Sequence, residues 1–137
     1  MKNKTILPLV ILSSLVLIAL IGCSGTTYPF KEPIDEIQSI EIVSAENSLD
    51  YTVIKTLSET EKGAFLEEFQ KVEFRKYLGD PPGVHGDAIR ITYQSGVYEM
   101  ICYFASEYVV DGRGFFHGRS CGEKAFEELL ETFLHES

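Results

Sequence analysis

His117 and Cys121, four residues apart, are the pair in this chain best suited to chemistry. A thiolate is the nucleophilic form of cysteine, and a helix N-terminus or a neighbouring imidazole lowers a thiol pKa toward that form. Ser120 and Glu123 make a Ser-x-x-Glu capping signature, which predicts a helix with Cys121 in its first turn. A hydrolase using Cys121 as nucleophile and His117 as base is therefore one expectation. The competing expectation is a structural cysteine, since no protease signature surrounds it. Cys102 and Cys121 are also a candidate disulfide in an oxidising compartment. A bridge would close a loop of about 20 residues, worth roughly 3 kcal/mol on the chain-entropy account. The alternative is two reduced thiols packed as small apolar groups.

The remaining reactive residues are scattered. His85 falls in a proline loop, His117 near a strand end and His135 at the C-terminus, whereas a metal site needs ligands that converge. No cysteine or histidine pair has metal-finger spacing, so neither a metal nor a cofactor is expected. Asp80, Asp87 and Asp111 stand beside Gly or Pro and read as turn formers more simply than as acid–base pairs. Gly112, Gly114 and Gly118 lack the following Lys and Ser/Thr of a phosphate loop.

Strands rich in β-branched residues are predicted at 37–43 and 51–57, and a third at 72–77. Ser58 and Glu61 form a first capping signature, opening a helix over 59–70 whose buried stripe is Phe65, Leu66 and Phe69, with Val72 just beyond. Pro81 and Pro82 make 79–86 a loop. Residues 87–104 read as a hairpin with a two-residue turn at Ser95-Gly96. That register sets Ile89, Ile91 and Tyr93 opposite Cys102, Met100 and Tyr98 on a core face. Arg90, Glu99, Ile101 and Tyr103 then share the outer face, where an exposed aromatic beside an arginine is a candidate binding surface. Short strands follow at 107–110 and 113–117, then a helix with Phe126, Leu129, Leu130, Phe133 and Leu134 on one stripe. The order ββαβββ(β)α predicts an α+β fold, a small antiparallel sheet of five to seven strands with two amphipathic helices packed on one face.

The N-terminus carries a different kind of signal. Lys2 and Lys4 precede an uncharged run over 5–22, which ends in Leu20-Ile21-Gly22-Cys23. A basic start, an apolar middle and a small residue at the cut are the parts of a secretory signal. The apolar stretch over 6–21 falls short of the roughly 20 residues that span a bilayer, and Pro8 interrupts it. With Cys23 after the small residue, the segment resembles the lipobox of bacterial lipoproteins. The resemblance implies a diacylglyceryl group on the Cys23 sulfur, cleavage before Cys23, and further acylation of the new amine. It places the chain at the cell membrane, lipid-anchored on the extracytoplasmic face. Residues 1–22 would be the signal peptide, 23–36 the lipidated cysteine and a short tether, and 37–137 one domain.

Loss of Lys2 and Lys4 moves the formal charge from −9 to −11 over the remaining 115 of 137 residues. So acidic a chain, with no basic stripe in its sequence, disfavours nucleic acid as partner. The layout after the lipobox is similar to that of small Gram-positive surface lipoproteins of uncharacterised function, a likeness that carries no active site across. The expected role is a non-enzymatic binding domain for an envelope protein or peptide, attached to the membrane through Cys23. The alternative is a structural or accessory envelope lipoprotein.

Overall fold

The fold is known from a computed structural model, which describes residues 25–80 and 82–135. The lipidation expected at Cys23 and the signal peptide before it lie outside the described residues.

Among the described residues, eight strands and two α-helices follow in order: β1 (Ile37–Ala45), β2 (Tyr51–Thr56), α1 (Glu59–Phe69), β3 (Arg75–Lys76), β4 (Gly86–Tyr93), β5 (Tyr98–Ile101), β6 (Ser106–Val110), β7 (Arg113–Phe116), β8 (Arg119–Ser120) and α2 (Glu123–His135). Six of the strands make one antiparallel sheet in the order β2-β1-β4-β5-β6-β7, and β3 pairs with β8 as a separate ribbon. The expected α+β architecture, with both helices on one sheet face, is what forms.

The helix side of the sheet holds the larger core. Ile40 pairs with Ile91 and Ile42 with Ile89 in the β1–β4 ladder, and all four are fully buried. Phe65 and Phe69 of α1, one turn apart, stack at 5.4 Å, and Phe65 meets Phe133 of α2 edge-on at 5.3 Å. Phe126, Leu129, Leu130 and Phe133 are buried at the spacing of one helical stripe. The first capping signature is realised, since Ser58 Oγ accepts the Glu61 N–H at 3.2 Å.

The opposite face is covered by loops. The β1–β2 turn reaches over it, so that Tyr98 donates to the Ser48 carbonyl at 2.8 Å. The proline loop comes from another side, where the Val84 N–H donates to Glu107 at 3.0 Å. Between them Val43, Ala88, Met100, Cys102 and Ala105 form a second, smaller core.

Three expectations are corrected. The β4–β5 turn has three residues, 94–96: Gly96 takes a φ of +91° and the Tyr93 N–H donates to the Val97 carbonyl at 2.9 Å. The register therefore slips by one, pairing Thr92 with Tyr98 and Ile91 with Glu99. Every β5 side chain changes face relative to β4. The second change concerns Ser120, which lies in β8. The helix opens after Gly122, whose carbonyl accepts the Phe126 N–H at 3.1 Å. Third, much of the expected tether belongs to the domain. Thr26 and Phe74 exchange backbone hydrogen bonds of 3.0 and 2.8 Å, and Tyr28 is 3% exposed in the main core.

Candidate functional site

The register slip turns Glu99 inward, among the side chains of the main core. Its side chain has no solvent exposure, yet a bare carboxylate there would be strongly disfavoured, so donors must surround it. Tyr28 donates to Glu99 Oε1 at 2.8 Å, the Tyr93 hydroxyl donates to Oε2, and the Lys31 backbone N–H donates to Oε2 at 3.1 Å. His117 Nδ1 lies 2.9 Å from Oε1 and 3.1 Å from the Tyr28 hydroxyl. Burial, and then the Glu99 charge, raise both tyrosines above their ordinary range, so they remain protonated donors.

The elements meeting at this carboxylate are far apart in sequence. Tyr28 and Lys31 precede β1, Tyr93 ends β4, Glu99 is in β5 and His117 follows β7. Aromatic rings enclose the outer side. Tyr28 and Tyr108 meet the His117 ring edge-on at 5.5 and 6.1 Å, Tyr108 stacks on Phe115, and Lys31 Nζ stands 3.9 Å from the Tyr108 centroid. A carboxylate that orients an imidazole is half of an acid–base relay. The other half, a nucleophile on the imidazole, is missing among the described residues: the polar contacts of His117 run to Glu99 and Tyr28, not to Cys121. The cluster instead ties the N-terminal segment to the sheet.

Cys121 does not have the surroundings of an activated thiol. It precedes α2, its backbone N–H donates to the Tyr103 carbonyl at 2.7 Å, and burial, with a smaller contribution from Cys102, pushes its thiol up to about 12. Burial also raises Cys102, whose thiol contacts the Ala105 carbonyl at 3.5 Å. The two cysteines stand as free thiols.

The expected outer face of Arg90, Glu99, Ile101 and Tyr103 is not assembled. Glu99 and Ile101 are fully buried on the helix side. Arg90 is on the opposite face, paired with Glu41 at 2.6 Å, bonded to the Tyr51 hydroxyl, and set over the rings of Tyr51 and Tyr98. Tyr103 is half-exposed, and it lines a groove of about 570 Å³ between the end of the proline loop and α2. Tyr103 meets Phe104 edge-on at 4.8 Å, and Phe104 packs on His85 at 4.6 Å. Asp87, Glu127 and Glu131 supply carboxylates to the same groove, and His135 also lines it. A larger groove of about 920 Å³ runs between the end of α1 and α2, past Cys121. Among the described residues no three His, Cys, Asp or Glu side chains converge as a metal site.

No protein-family model matches the chain, and comparison with curated proteins and with solved structures finds no match.

Proposed function

We propose that this chain is a lipoprotein anchored through Cys23 on the extracytoplasmic face of the membrane, and that it binds rather than catalyses. Its ligand site is the groove of Tyr103, Phe104 and His85, and the ligand is a peptide or envelope component carrying positive charge. The observation that carries the reading is the pairing of half-exposed aromatic side chains with carboxylates in one groove. Aromatic anchors provide contact area at low entropic cost, and Asp87, Glu127 and Glu131 favour a cationic group over an anionic one. The raised thiol of Cys121 and the engagement of His117 Nδ1 with Glu99 and Tyr28 argue against the nucleophilic alternative.

A photo-crosslinking amino acid at position 103 should capture a discrete adduct in intact cells, and the same group at the exposed Glu67 of α1 should not. Tyr103→Ala should weaken binding of the captured molecule by about 2 kcal/mol if the ring is an anchor. It should cost about 1–2 kcal/mol of stability, because the ring packs only against the margin of the core. Equal capture at both positions, or unchanged binding by a folded Tyr103→Ala, removes the groove as the site.

A further inference from the structure

Ten basic residues follow Cys23, and the structure divides them in two. Lys55, Lys62, Lys71, Arg90 and Lys124 have carboxylate partners, and Lys31 lies on the Tyr108 ring. Arg75, Lys76, Arg113 and Arg119 have no carboxylate within 4.0 Å among the described residues, in a chain of formal charge −9. Three of those four sit on the small β3–β8 ribbon, where Lys76 pairs with Arg119 and Arg75 with Ser120. Like charges side by side on a two-stranded ribbon repel, so the arrangement is costly without an anionic partner.

The same ribbon receives the chain from the anchor. Thr26 bridges Phe74, the residue before β3, and Gly25 packs on Glu73 so closely that a Cβ there would stand 3.0 Å from the Glu73 Cβ. Cys23 is two residues before Gly25, which limits it to about 7 Å from that corner even when fully extended. Apolar surface adjoins the cations. Leu78, two residues beyond β3, is 86% exposed, Phe115 and Phe116 are 44% and 41% exposed, and Tyr77 meets Phe116 edge-on at 6.5 Å.

We infer that the β3–β8 ribbon, with Leu78 and Phe116 beside it, is a membrane-facing surface that rests on anionic phospholipid headgroups. The inference builds on the anchoring of Cys23 proposed above. Lys76 and Arg119, cross-strand partners on one side of the ribbon, meet the lipid phosphates, while Arg75 is on the other side, toward the groove between α1 and α2. Leu78 and the Phe116 ring enter the boundary between headgroups and acyl chains. With the N-terminal segment locked by Thr26 and by Tyr28 on Glu99, the acyl anchor holds the domain in one orientation instead of letting it tumble on a tether. Glu73, beside the anchoring corner, opposes the attraction at that one point.

The test uses the full chain purified from membranes, its Cys23 mass recorded, reconstituted into vesicles of phosphatidylcholine and phosphatidylglycerol containing a gadolinium-chelating lipid. Amide signals over 75–78 and 115–119 should broaden at least fivefold more than those of β2, at the opposite edge of the six-stranded sheet and about 24 Å from β7 at ordinary strand spacing. Lys76→Glu with Arg119→Glu should reduce the contrast below twofold. A lipidated chain that broadens evenly, or more strongly at β2, overturns the surface while leaving the anchor intact. A chain without lipid on Cys23 that still shows the contrast overturns the anchor and keeps the surface. A chain without either overturns both.

Discussion

Glu99→Gln is the substitution that most sharply probes how the domain is held together. It preserves the shape of the side chain and removes its charge. The carboxylate has no exposure and is met by the Tyr28 hydroxyl, the Tyr93 hydroxyl and the Lys31 N–H. A hydrogen bond to a charged group contributes about 1.5–3 kcal/mol, against about 1 kcal/mol for a neutral one. Placed at the Oε2 position, the amide oxygen can still accept from Tyr93 and the Lys31 N–H. The amide nitrogen then faces the Tyr28 hydroxyl and His117 Nδ1, so the Tyr28 bond to Glu99 is lost or must reverse, and the bonds that remain lose their charge assistance. Losing one charge-assisted bond and weakening another sums to about 3 kcal/mol, which for a domain of this size lowers Tm by about 10–15 °C. Urea unfolding of the full chain in detergent measures it, with the exposed Glu67→Gln as a control that should change by less than about 0.5 kcal/mol. Amide exchange at Thr26 and Lys31 should speed up more than exchange in β4, because the N-terminal segment is what Glu99 retains. A loss under about 1 kcal/mol, or uniform exchange, would show that the carboxylate does not hold that segment.

Two further outcomes follow from the buried ionisable groups. Tyr28 and Tyr93 have folded pKa values raised above 10.0, so the folded state holds their protons more tightly than the unfolded state. The stability this provides is complete below about pH 10 and falls as pH rises beyond it, by about 1.4 kcal/mol per pH unit for each tyrosine; Tyr93→Phe should flatten the fall, and an unchanged slope would contradict the assignment. With its thiol raised from 9.0 to about 12, Cys121 should alkylate with iodoacetamide at pH 8 at least about a hundredfold more slowly in the folded protein than in urea. A folded-state rate equal to that in urea would restore it as a candidate nucleophile.

Much of the fold could be read from the chain because local and global signals agree. β-branched runs, Ser58 followed by Glu61, and the α2 stripe each point to one structure. The β4–β5 register could not be read the same way. Alternation settles register only where one face is polar. Both faces of β5 are covered, one by helices and one by loops, so apolar residues fit either way. The outcome depended on whether Gly96 closed a two- or a three-residue loop. The face of Glu99 depends on that loop, since a lone glutamate between Tyr98 and Met100 reads naturally as outward-facing. The signal that could have found it is a charged residue in an otherwise apolar strand, in a chain with tyrosines able to donate to it. The N-terminal segment, expected as a tether, joins the core. Tyr28 and Phe30, alternating aromatics, were the sign of it. Tyr103, expected on an exposed outer face beside Arg90, is half-exposed and has Phe104, His85 and α2 as neighbours instead.

Everything proposed about the location of this domain rests on Cys23. Intact mass spectrometry of the protein extracted from membranes measures that directly. The account predicts a chain beginning at Cys23 and heavier by a diacylglyceryl group, with or without an amide-linked acyl chain on the new amine. A membrane-extracted chain that retains residues 1–22, or one that begins at Cys23 with an unmodified thiol, would contradict it.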